Sequence, residues 1–151
     1  MKKFVFKLEP LYDYRQRMED ICKKELGAAT AKFEEEELKL RRLTEQYRAS
    51  SEEIDALKER GAPMEEISLY YSYLLGVKGY IAGQEKVLAE FRKELDRKRG
   101  ELMEASKSRK VVEIMKDRSI SSHTERENRQ EQKTADDMAV SRFKWRVGYE
   151  K

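Results

Sequence analysis

The feature that most constrains the fold is an apolar repeat of seven residues, which occurs on both sides of a single break in the chain. Before the break the repeat runs through Leu26, Phe33, Leu40, Tyr47 and Ile54, and after it through Ile67, Leu74, Ile81, Leu88, Leu95 and Leu102. An interleaved set of mostly apolar positions accompanies each repeat. A sustained apolar heptad on two segments is typical of helices that pair in a left-handed coiled coil.

The break lies at Gly61-Ala62-Pro63, and no proline precedes it after Pro10. Glycine readily adopts the left-handed conformation that ends a helix, and proline suits the first turn of the next one. The sequence therefore predicts an all-α protein, a long two-helix antiparallel coiled-coil hairpin with a C-terminal overhang. The predicted parts are an extended segment over 1–9, helix 1 over 10–60, a turn at 61–63, helix 2 over 64–118 and a charged extension over 119–151.

The pairing of the two helices follows from the apolar positions. If the numbers of partner residues sum to about 124, every seam position of one helix finds a seam position on the other. Leu57 then meets Ile67, and Ile54 meets Tyr70. One register therefore serves the whole predicted hairpin.

Three irregularities are predicted along this seam. Glu36 faces Leu88 in one poor layer, and Lys98 faces Leu26 in another. Near the start of helix 1 the phase is predicted to slip by a four-residue stutter, which locally unwinds a supercoil. The predicted seam there consists of Leu11, Tyr14, Met18 and Ile21 or Cys22.

Composition excludes several classes of protein. Of 151 residues, 42% are charged, and the 33 basic and 30 acidic side chains leave a net charge of only +3, which does not favour nucleic acid as the main partner. The chain has one cysteine, Cys22, expected to pack at the seam, and one histidine, His123, expected to be solvated. No catalytic constellation, phosphate-binding glycine motif or metal-ligand cluster is present, so no enzyme activity, cofactor or metal is predicted. The sequence contains no signal peptide or membrane span, which predicts a cytoplasmic protein.

The predicted extension combines a polar part with an aromatic end. Between residues 119 and 137 the only apolar side chains are Ile120 and Ala135, so this stretch cannot bury a face alone. Its last part differs, because apolar and basic residues interleave there: Met138, Val140, Phe143, Trp145 and Val147 with Arg142, Lys144 and Arg146. The pattern predicts a tail that becomes ordered on a partner.

Two further surfaces are candidates for protein contact. Leu69, Tyr73, Gly76, Tyr80 and Gly83 form a second stripe on helix 2, in addition to its seam. Exposed tyrosines beside glycines suit a protein-binding surface, although self-association or tyrosines lying along the seam remain open. Residues 92–110 also carry an excess of basic residues, which is either a solvated face or a contact for an acidic protein.

Residues at the two ends of the chain form a further pattern: Phe4, Phe6, Leu8, Leu11, Tyr14, Arg15 and Glu19 at the start, and Glu131, Lys133, Asp136 and Asp137 towards the end. They carry a resemblance to the flagellar export protein FliJ family. It spans nearly the whole chain. It implies a non-enzymatic, stalk-like subunit of the flagellar type III protein export apparatus, cytoplasmic and peripheral at the membrane. The implied partners are a hexameric export ATPase, the cytoplasmic part of the export gate, and export chaperones.

The resemblance also assigns expected roles to residues. ATPase contacts are expected at Arg15, Arg126, Arg129, Lys133, Arg142 and Phe143. Export-gate or chaperone contacts are expected at Leu69, Tyr73, Gly76 and Tyr80. Three alternatives remain open: a stalk protein of a virulence-type secretion system, a generic coiled-coil scaffold or tether, and a small RNA-binding helical hairpin.

Overall fold

A computed structural model describes residues 3–148, with side chains for residues 3–146. It contains two helices, α1 (Glu9–Glu59) and α2 (Met64–Gly148), and this range holds no strand. The predicted all-α helical hairpin is therefore confirmed. The chain divides into two compact units, a hairpin unit (Glu19–Glu104) and a terminal unit formed by residues up to Met18 and from Ala105 onward.

The turn between the helices is built around Gly61, as the sequence predicts. Gly61 has a φ of 70°, the left-handed conformation that glycine adopts without a steric penalty. Its N–H donates to the carbonyl of Lys58, and the N–H of Ala62 donates to the carbonyl of Leu57. These two bonds form a Schellman motif, which satisfies carbonyls at the end of α1. The carbonyl of Pro63 then accepts hydrogen bonds from the N–H groups of Glu66 and Ile67 in the first turn of α2.

The best-buried cluster of the hairpin unit lies directly beside this turn. Leu57 is 1% exposed and Ile54 is 2% exposed, and both pack with Ile67. Tyr70 and Leu74 pack against this cluster. The cluster brings together the residues of the two predicted layers, Leu57 with Ile67 and Ile54 with Tyr70, so the predicted register holds here.

The two layers that the sequence predicts as poor contain polar pairs instead. The Gln84 side-chain amide donates to the Glu36 carboxylate at 2.6 Å and to the Glu36 backbone carbonyl at 3.1 Å. The Lys98 ammonium donates to the carboxylate of Glu25 at 2.8 Å. Glu36 and Lys98 thus meet hydrogen-bonding partners rather than Leu88 and Leu26 alone. The prediction missed this because long side chains reach past their own layer.

The predicted stutter in α1 is wrong. The inward-facing positions are Tyr12, Arg15, Glu19 and Cys22, which continue the spacing of three and four from Leu26 and Ala29 without interruption. Leu11, Tyr14, Met18 and Ile21 are exposed by 37–54%. Glu19 is only 5% exposed, and the Lys23 ammonium lies 3.3 Å from its carboxylate. The heptad phase, rather than the local choice of apolar residues, decides which face packs inward.

Helix α2 continues well past the predicted end of helix 2 at residue 118. It runs without a break through 119–122 to Gly148, so the described part of the predicted extension belongs to the same helix. From residue 128 to residue 146 every side chain is exposed. The residue Val147 lies outside the described side chains, and residues 1, 2 and 149–151 lie outside the described chain. That the extension orders on a partner stays a prediction.

The terminal unit contains a contact that corrects the prediction for His123. The Phe4 ring meets the His123 ring edge to face, with 5.4 Å between the ring centroids. His123 is half-buried, and its Nε2 lies 3.7 Å from the Glu127 carboxylate. The prediction of a solvated histidine is wrong, because Phe4, which lies far earlier in the sequence, packs against it.

The basic residues between 92 and 110 form mainly local ion pairs. Arg97 pairs with Glu94, three residues before it, and with Glu101, four residues after it. These carboxylates hold the pKa of the arginine above its ordinary value. Further pairs join Lys93 to Glu90, Arg99 to Asp96 and Arg109 to Glu113. Such exposed pairs contribute little stability individually. They favour the interpretation of this stretch as a solvated helix face.

The first prediction concerns the cluster beside the turn. Replacing Leu57 with Ala should lower the free energy of unfolding by about 2–4 kcal/mol, because it removes buried methyl groups and leaves a cavity. Leu75 is 71% exposed, so Leu75→Ala is a matched control that should change stability by less than about 0.5 kcal/mol. Urea unfolding followed by circular dichroism measures the stability of both variants. Equal effects of the two substitutions would contradict a stabilising role for the cluster beside the turn.

The second prediction concerns the Glu36 layer. Hydrogen bonds donated by Lys39 and Gln84 hold the pKa of the Glu36 carboxyl below its ordinary value of 4.5. Because the folded pKa is lowered, ionised Glu36 stabilises the fold above the unfolded pKa, and this contribution disappears as the pH falls through the folded pKa. Glu36→Gln should therefore be less stable than the parent protein at pH 7, and the difference should shrink below about pH 4. Urea unfolding at several pH values tests this, and a pH-independent difference would refute it.

Candidate docking surfaces

The first candidate surface is the tyrosine stripe on α2, defined by Leu69, Tyr73, Gly76 and Tyr80. Their spacing of four, three and four residues places them on one face of the helix. Leu69 and Tyr80 are each 72% exposed, and Tyr73 is 52% exposed. The four residues expected at this surface are therefore brought together, and they do not lie in the seam.

The surroundings of this stripe are open. A Cβ atom added at Gly76 or at Gly83 would meet nothing within 4 Å. Both glycines therefore face open space beside the stripe. Tyr71, by contrast, is held within the hairpin unit: the Lys58 ammonium lies 5.1 Å from its ring centroid, and the interaction raises the pKa of Lys58.

The second candidate surface is the basic face of α2 in the terminal unit, defined by Arg126, Arg129 and Lys133. The spacing of three and four residues places all three on one face of a helix that is exposed at each of them. Arg129 lies 4.0 Å from the carboxylate of Glu125, whereas Arg126 and Lys133 form no ion pair with another described residue. This face is therefore available to an acidic partner.

The other three residues expected at the same contact lie elsewhere. Arg142 and Phe143 are exposed on α2 but lie further along the helix than the basic face. At about 100° per residue, Arg142 lies about 160° around the helix from Arg126, whereas Phe143 lies about 40° from Arg129 but about ten residues beyond Lys133. Arg15 is half-buried on the inward-facing side of α1, and its buried Nε has no hydrogen-bond partner among the described residues. The structure thus separates the six residues into one basic face and three single positions.

Sequence reasoning missed a third surface in the terminal unit. Leu11, Tyr14 and Met18 on α1 were assigned to the seam but point outward, and Val111 and Met115 on α2 are 58% and 46% exposed. Tyr12 on α1 and Val112 on α2 are seam residues. Relative to them, the exposed apolar residues of both helices occupy the same two heptad positions, which lie beside the seam. Extending the heptad phase backward from Leu26 would have identified the first three as exposed.

Residues 3–148 hold no cluster of three or more histidine, cysteine, aspartate or glutamate side chains that could bind a metal ion. Within the same range neither helix has a stretch that is apolar enough to cross a membrane.

The fold and these surfaces define a class of protein, the helical hairpin with exposed apolar and basic faces. A sequence profile described as flagellar FliJ protein matches residues 3–147. The chain therefore belongs to the flagellar FliJ protein family, which makes it a component of a type III secretion or flagellar export system. The resemblance seen at the two ends of the sequence is confirmed.

Two further comparisons accompany this match. No curated protein matches the chain. Among solved structures, it is similar to one described as a proposed YscO homologue, CT670 from Chlamydia trachomatis, with 18% sequence identity and a TM-score of 0.49. That similarity covers 98% of this chain and 100% of the other.

Proposed function

We propose that this protein is the non-enzymatic stalk of a flagellar type III export apparatus. In this proposal the far end of α2 enters the ring of a hexameric export ATPase. The tyrosine stripe binds the cytoplasmic part of the export gate or the substrate chaperones. The protein works in the cytoplasm, at the cytoplasmic face of the membrane, and couples ATP hydrolysis to the delivery of export substrates.

The observation that carries the proposal is the unpaired length of α2 in the terminal unit. The Lys116 ammonium donates to the carboxylate of Glu9, the first residue of α1, at 2.8 Å. This contact places the start of α1 level with residue 116, and residues 117–148 of α2, the unpaired part, continue beyond it without a second helix beside them. The segment before α1 shares a groove with this part only as far as Arg126. At 1.5 Å per residue, residues 117–148 extend about 48 Å, enough to reach deep into a ring of protein subunits.

The distribution of side chains on this unpaired part supports enclosure by a partner. Met138 and Trp145 lie on one side of the helix, and Val140 and Phe143 lie on the other, at about 100° per residue. All four are exposed. Apolar side chains on two opposite sides of a helix can both be buried only if a partner contacts both sides. A pore that surrounds the helix satisfies this requirement, whereas a flat surface covers only one side.

The charge of the unpaired part supports an acidic lining for that pore. Arg126 and Lys133 are free of ion pairs among the described residues, and no acidic residue lies between Met138 and Arg146. Desolvated charge complementarity increases both the association rate and the specificity of an interface. Residues 138–146 therefore combine apolar anchors with three basic side chains and no acidic one.

The third prediction tests the ATPase contact. Reversing the charge of the basic face with Arg126→Glu, Arg129→Glu and Lys133→Glu should reduce stimulation of the purified export ATPase by about tenfold, because three attractive charges become repulsive. The assay measures ATP hydrolysis with and without each variant. A matched control reverses three exposed lysines of the hairpin unit, Lys24, Lys78 and Lys86, and should retain stimulation. Equal stimulation by both triple variants would refute the contact.

The fourth prediction tests the tyrosine stripe. Tyr73→Ala combined with Tyr80→Ala should weaken binding to the purified cytoplasmic part of the export gate, or to a purified export chaperone, by about 10- to 100-fold. Exposed tyrosines at the centre of an interface commonly contribute this much binding energy. Tyr71→Ala is the control, because Tyr71 contacts Lys58 rather than belonging to the stripe. Calorimetric titration measures the affinities, and unchanged binding to both partners would rule out this role for the stripe.

A further inference from the structure

The N-terminal segment before α1 packs on a part of α2 whose residues have low helix propensity. Phe4, Phe6 and Leu8 are half-buried, whereas Val5 and Lys7, which alternate with them, are exposed. Over residues 3–6, which precede a turn at residues 7 and 8, this period of two is that of an extended chain with one face against a surface. The α2 residues that share a groove with this segment are Met115, Arg118, Ser119, Ser122, His123 and Arg126.

The segment is fixed at one end. The N–H of Glu9 donates to the carbonyl of Phe6 at 3.1 Å, which joins the segment to the first turn of α1. Glu9 in turn accepts from Lys116 on α2, and the Lys116 ammonium lies 4.9 Å from the centroid of the Tyr12 ring. At the other end of the segment, Phe4 is held to α2 by its contact with His123.

The stretch of α2 beneath this segment has little tendency to form a helix on its own. Residues 119–124 are Ser-Ile-Ser-Ser-His-Thr, six consecutive residues that are all poorer helix formers than alanine, leucine or the long charged residues. Serine and threonine side chains also compete for backbone hydrogen bonds, and Thr124 does so by donating to the carbonyl of Ile120. The helix nevertheless continues through this stretch without a break. Tertiary packing must therefore supply the stabilisation that the local sequence lacks.

We propose that residues 3–8 act as a displaceable strap on α2. With the strap closed, Phe4 and Phe6 keep residues 119–126 helical, and α2 remains one helix up to its far end. With the strap open, residues 119–124 unwind and uncouple the part of α2 beyond Arg126 from the part that pairs with α1. This conformational switch does not depend on the identity of the partner that binds α2.

Hydrogen exchange of the full-length protein, followed by mass spectrometry, tests the strap. Phe4→Ala combined with Phe6→Ala should make the amides of residues 119–126 exchange about tenfold faster, because their local opening becomes easier. Val5→Ala is the matched control, since Val5 lies in the same segment but is 75% exposed, and it should leave exchange unchanged. The amides of the hairpin unit should keep their protection in every variant.

A rescue experiment separates the strap from a general loss of stability. Ser121 and Thr124 are exposed and lie outside the groove, so Ser121→Ala with Thr124→Ala raises helix propensity without altering the contact. Added to the Phe4 and Phe6 variant, these substitutions should restore much of the lost protection. The proposal is overturned if residues 119–126 exchange at the parental rate in the variant that carries only Phe4→Ala and Phe6→Ala. It is equally overturned if they are unprotected in the parent protein, or if the helix-strengthening substitutions have no effect.

Discussion

The burial of a single apolar seam is the interaction on which the hairpin depends, because two paired helices have no other interior. Burial is most complete where the chain turns, at Ile54 and Leu57. Further along the hairpin unit polar pairs interrupt the seam, and Gln84 with Glu36 and Lys98 with Glu25 are bonded across it. Apolar layers provide the stabilisation, and the polar pairs make one register preferable to its neighbours.

The distribution of charge differs between the hairpin unit and the far end of α2. In the hairpin unit most basic residues of α2 find a carboxylate three or four residues away, as Arg97 does with Glu94 and Glu101. Such pairs allow a helix with one apolar face to remain soluble. Beyond Arg126 the pairing becomes sparse and large apolar side chains are exposed. The helix there has the composition of an interface rather than that of a solvated rod.

The sequence predicted the architecture because the heptad repeat and Gly61 are local signals that act over a few residues. It failed at the start of α1 because Leu11, Tyr14 and Met18 are more apolar than Tyr12, Arg15 and Glu19. The heptad phase that continues backward from Leu26 decided which residues face inward, despite this difference in apolar character. The contact of Phe4 with His123 was not predicted, because the heptad pairing covers only the two helices and Phe4 precedes α1. The exposed tyrosine stripe was predictable, because one helix in a two-helix hairpin needs only one apolar stripe.

The position of the best-buried cluster has a consequence for how the chain folds. Joining two helices through the short turn at Gly61 closes the smallest loop that this topology offers, and loop closure is entropically cheapest there. The same place buries Ile54, Leu57 and Ile67 most completely. We therefore expect folding to nucleate at the turn and to proceed layer by layer towards both termini, because each layer that forms leaves only a short loop for the next one to close. The last elements to form would be the segment before α1 and the far end of α2, after the hairpin itself.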